Sequence, residues 1–177
     1  MYPAIRAAKE YWSTRRAGTV AVGHDHVTSL IVWPWDLDVF LELNNGRVLT
    51  LFDIGRLGLF RRMGILDTLK RKGWYGTVAG TAIRYRKRIT VFQKLEMRTR
   101  VTGWDERFTY FEQSFWRGET CMAHAVLRTA ITGGKGIIPT AEAAQALGMP
   151  AESPPLPEWI LHWRDAEIQR TWPPERR

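Results

Sequence analysis

A chain of 177 residues, 45% hydrophobic and with a formal charge of +8, has the material for one folded core and excludes a disordered chain. A pI near 10.1 points to an anionic partner without choosing among nucleic acid, anionic lipid and phosphorylated cofactors. The lone Cys121 excludes an intramolecular disulfide framework, and the lack of a spanning apolar run or signal-peptide core leads us to expect a cytoplasmic protein.

In chain order, residues 2–16 form an expected amphipathic helix, with Ile5, Ala8 and Trp12 on one side and Arg6, Lys9, Arg15 and Arg16 on the other. It either packs on its own domain or a partner subunit, or makes peripheral contact with anionic lipid. Gly18 to Asp25 reads as a turn, and His26 to Trp33 as a strand rich in β-branched residues. An acidic segment with Asp36 and Asp38 follows, then Asn44 and Asn45. From Val48 to Met63 apolar residues recur at helical spacing almost all round, so the pattern predicts one long helix inside the domain. Asn44 is its expected cap.

Beyond Gly73 the pattern turns extended over residues 74–89, 92–101, 108–116 and 119–131. Leu95, Met97, Thr99 and Val101 alternate with Lys94, Glu96, Arg98 and Arg100, the period of a strand with one wet face. Turn residues after Gly103 and around Gly118 predict hairpins and an antiparallel meander. Thr140 is the expected cap of a short helix that Gly148 ends. After a proline-rich stretch, a terminal helix sets Trp159, Trp163 and Ala166 on one face for docking.

Three motifs lie in sequence order: Asp36-Leu37-Asp38, Glu42-Leu43-Asn44-Asn45-Gly46-Arg47-Val48-Leu49, and Asp53-Ile54-Gly55-Arg56. Gly73-Trp74, Ile83-Arg84-Tyr85-Arg86, Gly103-Trp104-Asp105 and Ser153-Pro154-Pro155-Leu156-Pro157 follow. Together they resemble the hotdog acyl-CoA thioesterases, in particular a subgroup of the 4-hydroxybenzoyl-CoA thioesterase-like group with the pattern D-x-D, H-M-N-N-G-R-Y-L, D-x-G-R. Glu42 stands where that pattern has histidine, and Val48 where it has tyrosine. The resemblance implies an α+β hotdog fold, an antiparallel sheet wrapped around one long central helix, with short C-terminal helices. One domain would span 1–177, with a core of about 26–131, an N-terminal helix over 2–16 and a helical tail over 140–172.

The resemblance also implies an acyl-CoA substrate, a homodimer or homotetramer, no cofactor and no metal. By the same match Asp38 is the base or nucleophile, and Asn45 offers a backbone N–H at the helix start to polarise the carbonyl. Glu42 either replaces the missing histidine or is a surface carboxylate near a helix N-terminus. Substrate contacts would come from Asn44, Gly46, Arg84, Arg86 and Arg88. The arginines meet coenzyme A phosphates if they share a strand face, or else form a solvated edge. Without the resemblance, Asp36 and Asp38 read as turn residues; Asp36 either orients Asp38 or raises its proton affinity, or, as the favoured reading, is a solvated turn residue.

The resemblance also leaves Asp53 as a catalytic carboxylate, since some hotdog thioesterases place one within the helix, but Asp53 and Arg56 have the spacing of a helical ion pair, the favoured reading. Trp33, Trp35, Phe40 and Tyr85 either line an acyl pocket or belong to a core or interface. His24-Asp25-His26 lacks a complete metal-ligand set, and His124 reads as a core histidine. Gly133-Gly134-Lys135-Gly136 lacks P-loop spacing. A non-catalytic hotdog module that binds acyl-CoA or a protein is the main alternative. Nucleic-acid binding ranks last, because the tryptophans are not interleaved with a basic run.

Overall fold

The computed structural model describes residues 3–134 and 136–176, so the expected helix start at Tyr2 and the Lys135 of the glycine-rich turn lie outside the described residues. Helix α1, Ala4–Ser13, precedes strand β1, His26–Ile31, and the central helix α2, Asn45–Arg62. That helix starts ahead of its apolar pattern because the Asn44 side chain accepts the Arg47 N–H at 3.1 Å. Helix α3, Ile65–Lys72, is absent from the sequence expectation. It is short and lies between Gly64 and Gly73, both left-handed, which make it a separate element.

Strands β2, Tyr75–Tyr85, β3, Lys94–Trp104, β4, Thr109–Arg117, and β5, Thr120–Gly133, complete an antiparallel sheet of order β1-β3-β4-β5-β2. Short strand β6, Gly136–Ile138, pairs with the end of β5. The meander is thus β3-β4-β5, while the strand after the helix crosses to pair with β5. The alternation in β3 holds: Leu95, Met97, Thr99 and Val101 are buried.

The inner face of the sheet covers α2. Val48, Leu51, Phe52 and Ile54 join Leu95, Met97, Phe115 and Leu127 in one core, where Phe52 stacks on Phe115 with centroids 4.6 Å apart. Such a pair contributes about 1 kcal/mol beyond the area it buries. A central helix under a wrapping antiparallel sheet is the hotdog arrangement.

Helix α4, Thr140–Leu147, is capped by Pro139 and not by Thr140, whose hydroxyl donates instead to the Asp105 carbonyl. Gly148 ends it with φ +67°. Helix α5, Glu158–Gln169, docks on the outer face of the sheet, but through Ile160, which packs with Tyr110 and Val126. Trp163 joins that cluster, while Trp159 stays half exposed. The chain leading to α5 is seated at Gly103: the Ser153 hydroxyl accepts the Trp104 N–H at 2.8 Å, and a Cβ on Gly103 would lie 2.9 Å from Leu156 and from the Pro154 carbonyl. Two motifs distant in sequence are therefore the two halves of one contact.

A polar line crosses the outer face. Arg100 on β3 and His124 on β5 both donate to Glu112 on β4, at 2.6 and 3.0 Å. His124 is thus not a core histidine but a half-exposed partner of a carboxylate. Its hydrogen bond, with Arg100 acting in the same sense, holds the Glu112 carboxyl down to about 2 despite burial.

Gly103→Ala is expected to lower unfolding free energy by roughly 1–3 kcal/mol in denaturant titration, because backbone stands where the methyl would go. Because Glu112 titrates lower in the folded chain than its ordinary 4.5, its contribution is present above that pH and is lost as pH falls toward about 2. Glu112→Gln is expected to flatten the loss of stability over that acid window, read from melting temperature against pH.

Candidate active site

The segment between β1 and α2 folds back on itself as a hairpin. Asn44 N–H donates to the Asp36 carbonyl at 2.9 Å, Leu37 bridges Leu43, and Asp38 N–H donates to the Glu42 carbonyl at 2.8 Å. The hairpin sets Asp38 across from Glu42 at its tip and Asp36 across from Asn44 at its base. Leu43 N–H donates to the Ile89 carbonyl at 2.8 Å, which ties the hairpin to the segment joining β2 and β3.

Asp38 shapes the tip: its Oδ1 accepts the N–H groups of Phe40 and Glu42, at 2.8 and 3.3 Å. This is the turn-shaping behaviour of a short carboxylate. Its Oδ2 has no partner among the described residues. Glu42 is paired with Arg88, Oε1 to Nε 2.6 Å, and Arg88 also donates to the Phe40 carbonyl at 3.3 Å.

At the start of α2 the Asn44 carbonyl accepts the Val48 N–H, and its side chain takes that of Arg47. The N–H groups of Asn45 and Gly46 have no acceptor among the described residues and stand in exposed backbone. Open donors at a helix N-terminus attract a developing negative charge.

Asp36 corrects the sequence expectation. It is fully buried, not solvated: Oδ2 accepts from Arg6 at 2.7 Å and from the Trp33 N–H at 2.9 Å, while Oδ1 lies 3.3 Å from Arg47 Nε. Arg6 also donates to the Ile31 carbonyl, so α1, β1 and the start of α2 converge on one carboxylate. The Asp36 and Arg47 of two separate motifs meet here. The signal that could have shown it is the pairing of a buried-looking Asp with an Arg in the first turn of an apolar helix.

The three arginines do not form one face. Strand β2 ends at Tyr85, so Arg84 lies on the outer face beside His124, Arg86 N–H bonds the Met122 carbonyl in the crossing segment, and Arg88 reaches the hairpin. Asp53 pairs with Arg56 as its spacing suggested, and Arg56 is buried and also bonded to Gln113. Of Trp33, Trp35, Phe40 and Tyr85, Trp33 alone lines an apolar cavity of about 510 Å³ between α1, β1 and α2. Leu30, Leu51, Ile54 and Met97 line its interior, with Arg6, Lys9 and Lys94 contributing cationic side chains.

A second buried ionic cluster, unforeseen from sequence, fastens α1. Glu10 takes bonds from Thr28 and His26 at 2.6 Å each, and Arg62 donates to His26 Nδ1 at 3.2 Å. An arginine only donates, so Nδ1 is the acceptor nitrogen and Nε2 carries the proton given to Glu10. His26 is therefore structural, and the His24-Asp25-His26 run is split. Among the described residues no group of three His, Cys, Asp or Glu side chains is placed to hold a metal ion.

Residues 32–164 match the family model of the thioesterase-like superfamily. The chain belongs to the thioesterase-like superfamily. Among its relatives, protein THEM6 of Xenopus laevis is 33% identical over 141 residues, 78% of this chain and 67% of that protein. THEM6 of Drosophila melanogaster is 27% identical over 136 residues, 74% and 67% of the two chains. Solved structures of the same fold include YbaW from Escherichia coli, TM-score 0.63 and 17% identity over 68% of this chain and 95% of that one. The 1,4-dihydroxy-2-naphthoyl-CoA thioesterase Slr0204 from Synechocystis aligns with TM-score 0.60 and 11% identity over 70% and 95%. For this member of the superfamily, Asp36→Ala is expected to cost about 3 kcal/mol of stability in denaturant titration, since it leaves Arg6 and Arg47 facing each other without their anion.

Proposed function

We propose that this thioesterase-like domain hydrolyses the thioester of a fatty or aromatic acyl-CoA, with Asp38 as base or nucleophile and the start of α2 polarising the carbonyl. The observation that carries this reading is the pair of open N–H groups at Asn45 and Gly46, in a helix start held against the hairpin that bears Asp38 and Glu42. In the general-base route, Oδ2 of Asp38 takes a proton from water as its oxygen bonds to the acyl carbon. Negative charge gathers on the carbonyl oxygen beside the helix donors, then the carbon–sulfur bond breaks and the thiolate leaves. Arg88 offsets the charge of Glu42, which keeps a second carboxylate from opposing an anionic substrate. The apolar cavity with cationic residues in its wall has the character of a site for a chain joined to a phosphorylated head. Among the described residues strand β2 pairs with β5 alone, and its long open edge supports assembly with a second copy.

A second reading, an acyl-CoA-binding module without turnover, draws on Asp38 Oδ1 being engaged in the turn and Glu42 being tied to Arg88. A free-thiol assay over short, long and aromatic acyl-CoAs separates the two. Turnover is expected, and Asp38→Asn is expected to lower kcat by about 10²-fold or more while stability stays within about 0.5 kcal/mol, because asparagine keeps the turn acceptor but not the charge. Saturable binding with no thiol released from any acyl-CoA would leave only the module.

A further inference from the structure

The end of the domain that carries the hairpin displays a group of large apolar side chains to solvent. Val39, Phe40 and Leu41 at the hairpin tip are 88%, 73% and 70% exposed, and Phe92, on the segment crossing beneath, is 63% exposed. Trp33 stacks on Trp35, centroids 5.4 Å apart, and meets Phe92 edge-on at 6.0 Å, so these three rings form one patch. Among the described residues two non-glycine residues have left-handed backbone, and they are Leu41, φ +58°, and Phe92, φ +60°. L side chains with bulky apolar groups disfavour that region, yet here it turns both outward into water. Local strain and lost burial coincide at the same two residues, and neither serves the core.

We infer that this end of the molecule docks on the surface of a lipid bilayer carrying anionic headgroups. Charge selects that occupant. Arg88 reaches the hairpin, Arg86 and Lys87 precede it in the same exposed segment, and Lys9 and Lys94 line the same cavity as Trp33. Lys9, Arg86, Lys87 and Lys94 have no ionic partner among the described residues. The centre of a protein interface favours aromatic residues but is depleted of lysine, whereas tryptophan flanked by lysine and arginine is the composition of a bilayer interface. Shape agrees, since an exposed apolar hairpin tip offers a wedge to penetrate a headgroup layer. Trp33 belongs both to this patch and to the lining of the cavity, so the two adjoin.

The contact thus differs from one made by the N-terminal helix. Helix α1 is fastened to the domain by Glu10, and although Ile5 and Trp12 remain exposed, the apolar tip belongs to the hairpin. Docking is independent of thioester hydrolysis, and its test contains no thioester.

The test is co-sedimentation of the full chain with vesicles of phosphatidylcholine, alone or mixed with phosphatidylglycerol, with light scattering on the same samples before lipid is added. Preferential binding to the mixed vesicles is expected. Leu41→Gly and Phe92→Gly together are expected to weaken it by about tenfold, since each removes an apolar side chain where glycine relieves the backbone and leaves the fold at least as stable. Arg86→Glu with Lys87→Glu is expected to weaken it by a similar factor, with an effect that shrinks as salt rises. No binding to either vesicle, equal binding to both, or unchanged binding by the glycine variants would overturn the inference. So would a fall in oligomeric mass in the glycine variants with vesicle binding intact, which would assign the patch to a second copy of the chain.

Discussion

The closeness of α2 to the sheet is the constraint on which the rest depends. A Cβ on Gly55 would lie 2.9 Å from Met97 Cε and closer still to the Thr99 hydroxyl, and one on Gly58 would meet Glu10 and His26. Glycine inside a helix costs about 1 kcal/mol relative to alanine, so these two weaken α2 locally. In exchange the helix settles deep enough for Phe52 to stack on Phe115 and for the Phe52 carbonyl to accept from Gln113 at 2.8 Å. The same depth draws Arg56 inside, where Gln113 and Asp53 satisfy it. A larger side chain at either glycine would lift the helix and expose that arginine's partners together with the core.

Buried charge then locates the candidate site. Asp36 gathers Arg6 from α1, Arg47 from the first turn of α2 and the Trp33 N–H from the end of β1. Desolvation of a lone carboxylate at that depth would cost several kcal/mol, and two guanidinium groups offset it. The result is a hairpin whose base cannot shift without breaking buried ion pairs, while its tip, held by Asp38, by local backbone and by the exposed Arg88, stays in solvent. Rigidity at the base and exposure at the tip are what a site needs when substrate approaches from outside. Glu10 and His26 do the same for α1 at the other end of β1, so the N-terminal helix is a wall of the cavity and not an appendage.

The open donors at Asn45 and Gly46, the carboxylates of the hairpin, the apolar cavity and the exposed aromatic patch all lie toward the end where β1 gives way to α2. The outer face of the sheet instead carries α5 and the Arg100–Glu112–His124 line. Stabilising and functional surfaces are therefore segregated, with strain at Leu41 and Phe92 confined to the functional end.

What the chain itself determined was local. The apolar period of α2, the Asn44 cap, the alternation in β3 and the glycine stop at 148 depend on neighbours no more than four residues away, and all stand in the structure. The order of motifs carried the family and the fold. Only tertiary structure decided that Asp36 is buried between Arg6 and Arg47, that Arg84 and Arg88 part company where β2 ends at Tyr85, and that Ile160 rather than Trp159 anchors α5. Each of these joins residues from separate elements, and an ion pair across thirty or more positions leaves no period in the sequence. Whether a carboxylate is a solvated turn residue or a buried hub depends on what packs over it, and that is set when the sheet closes around the helix.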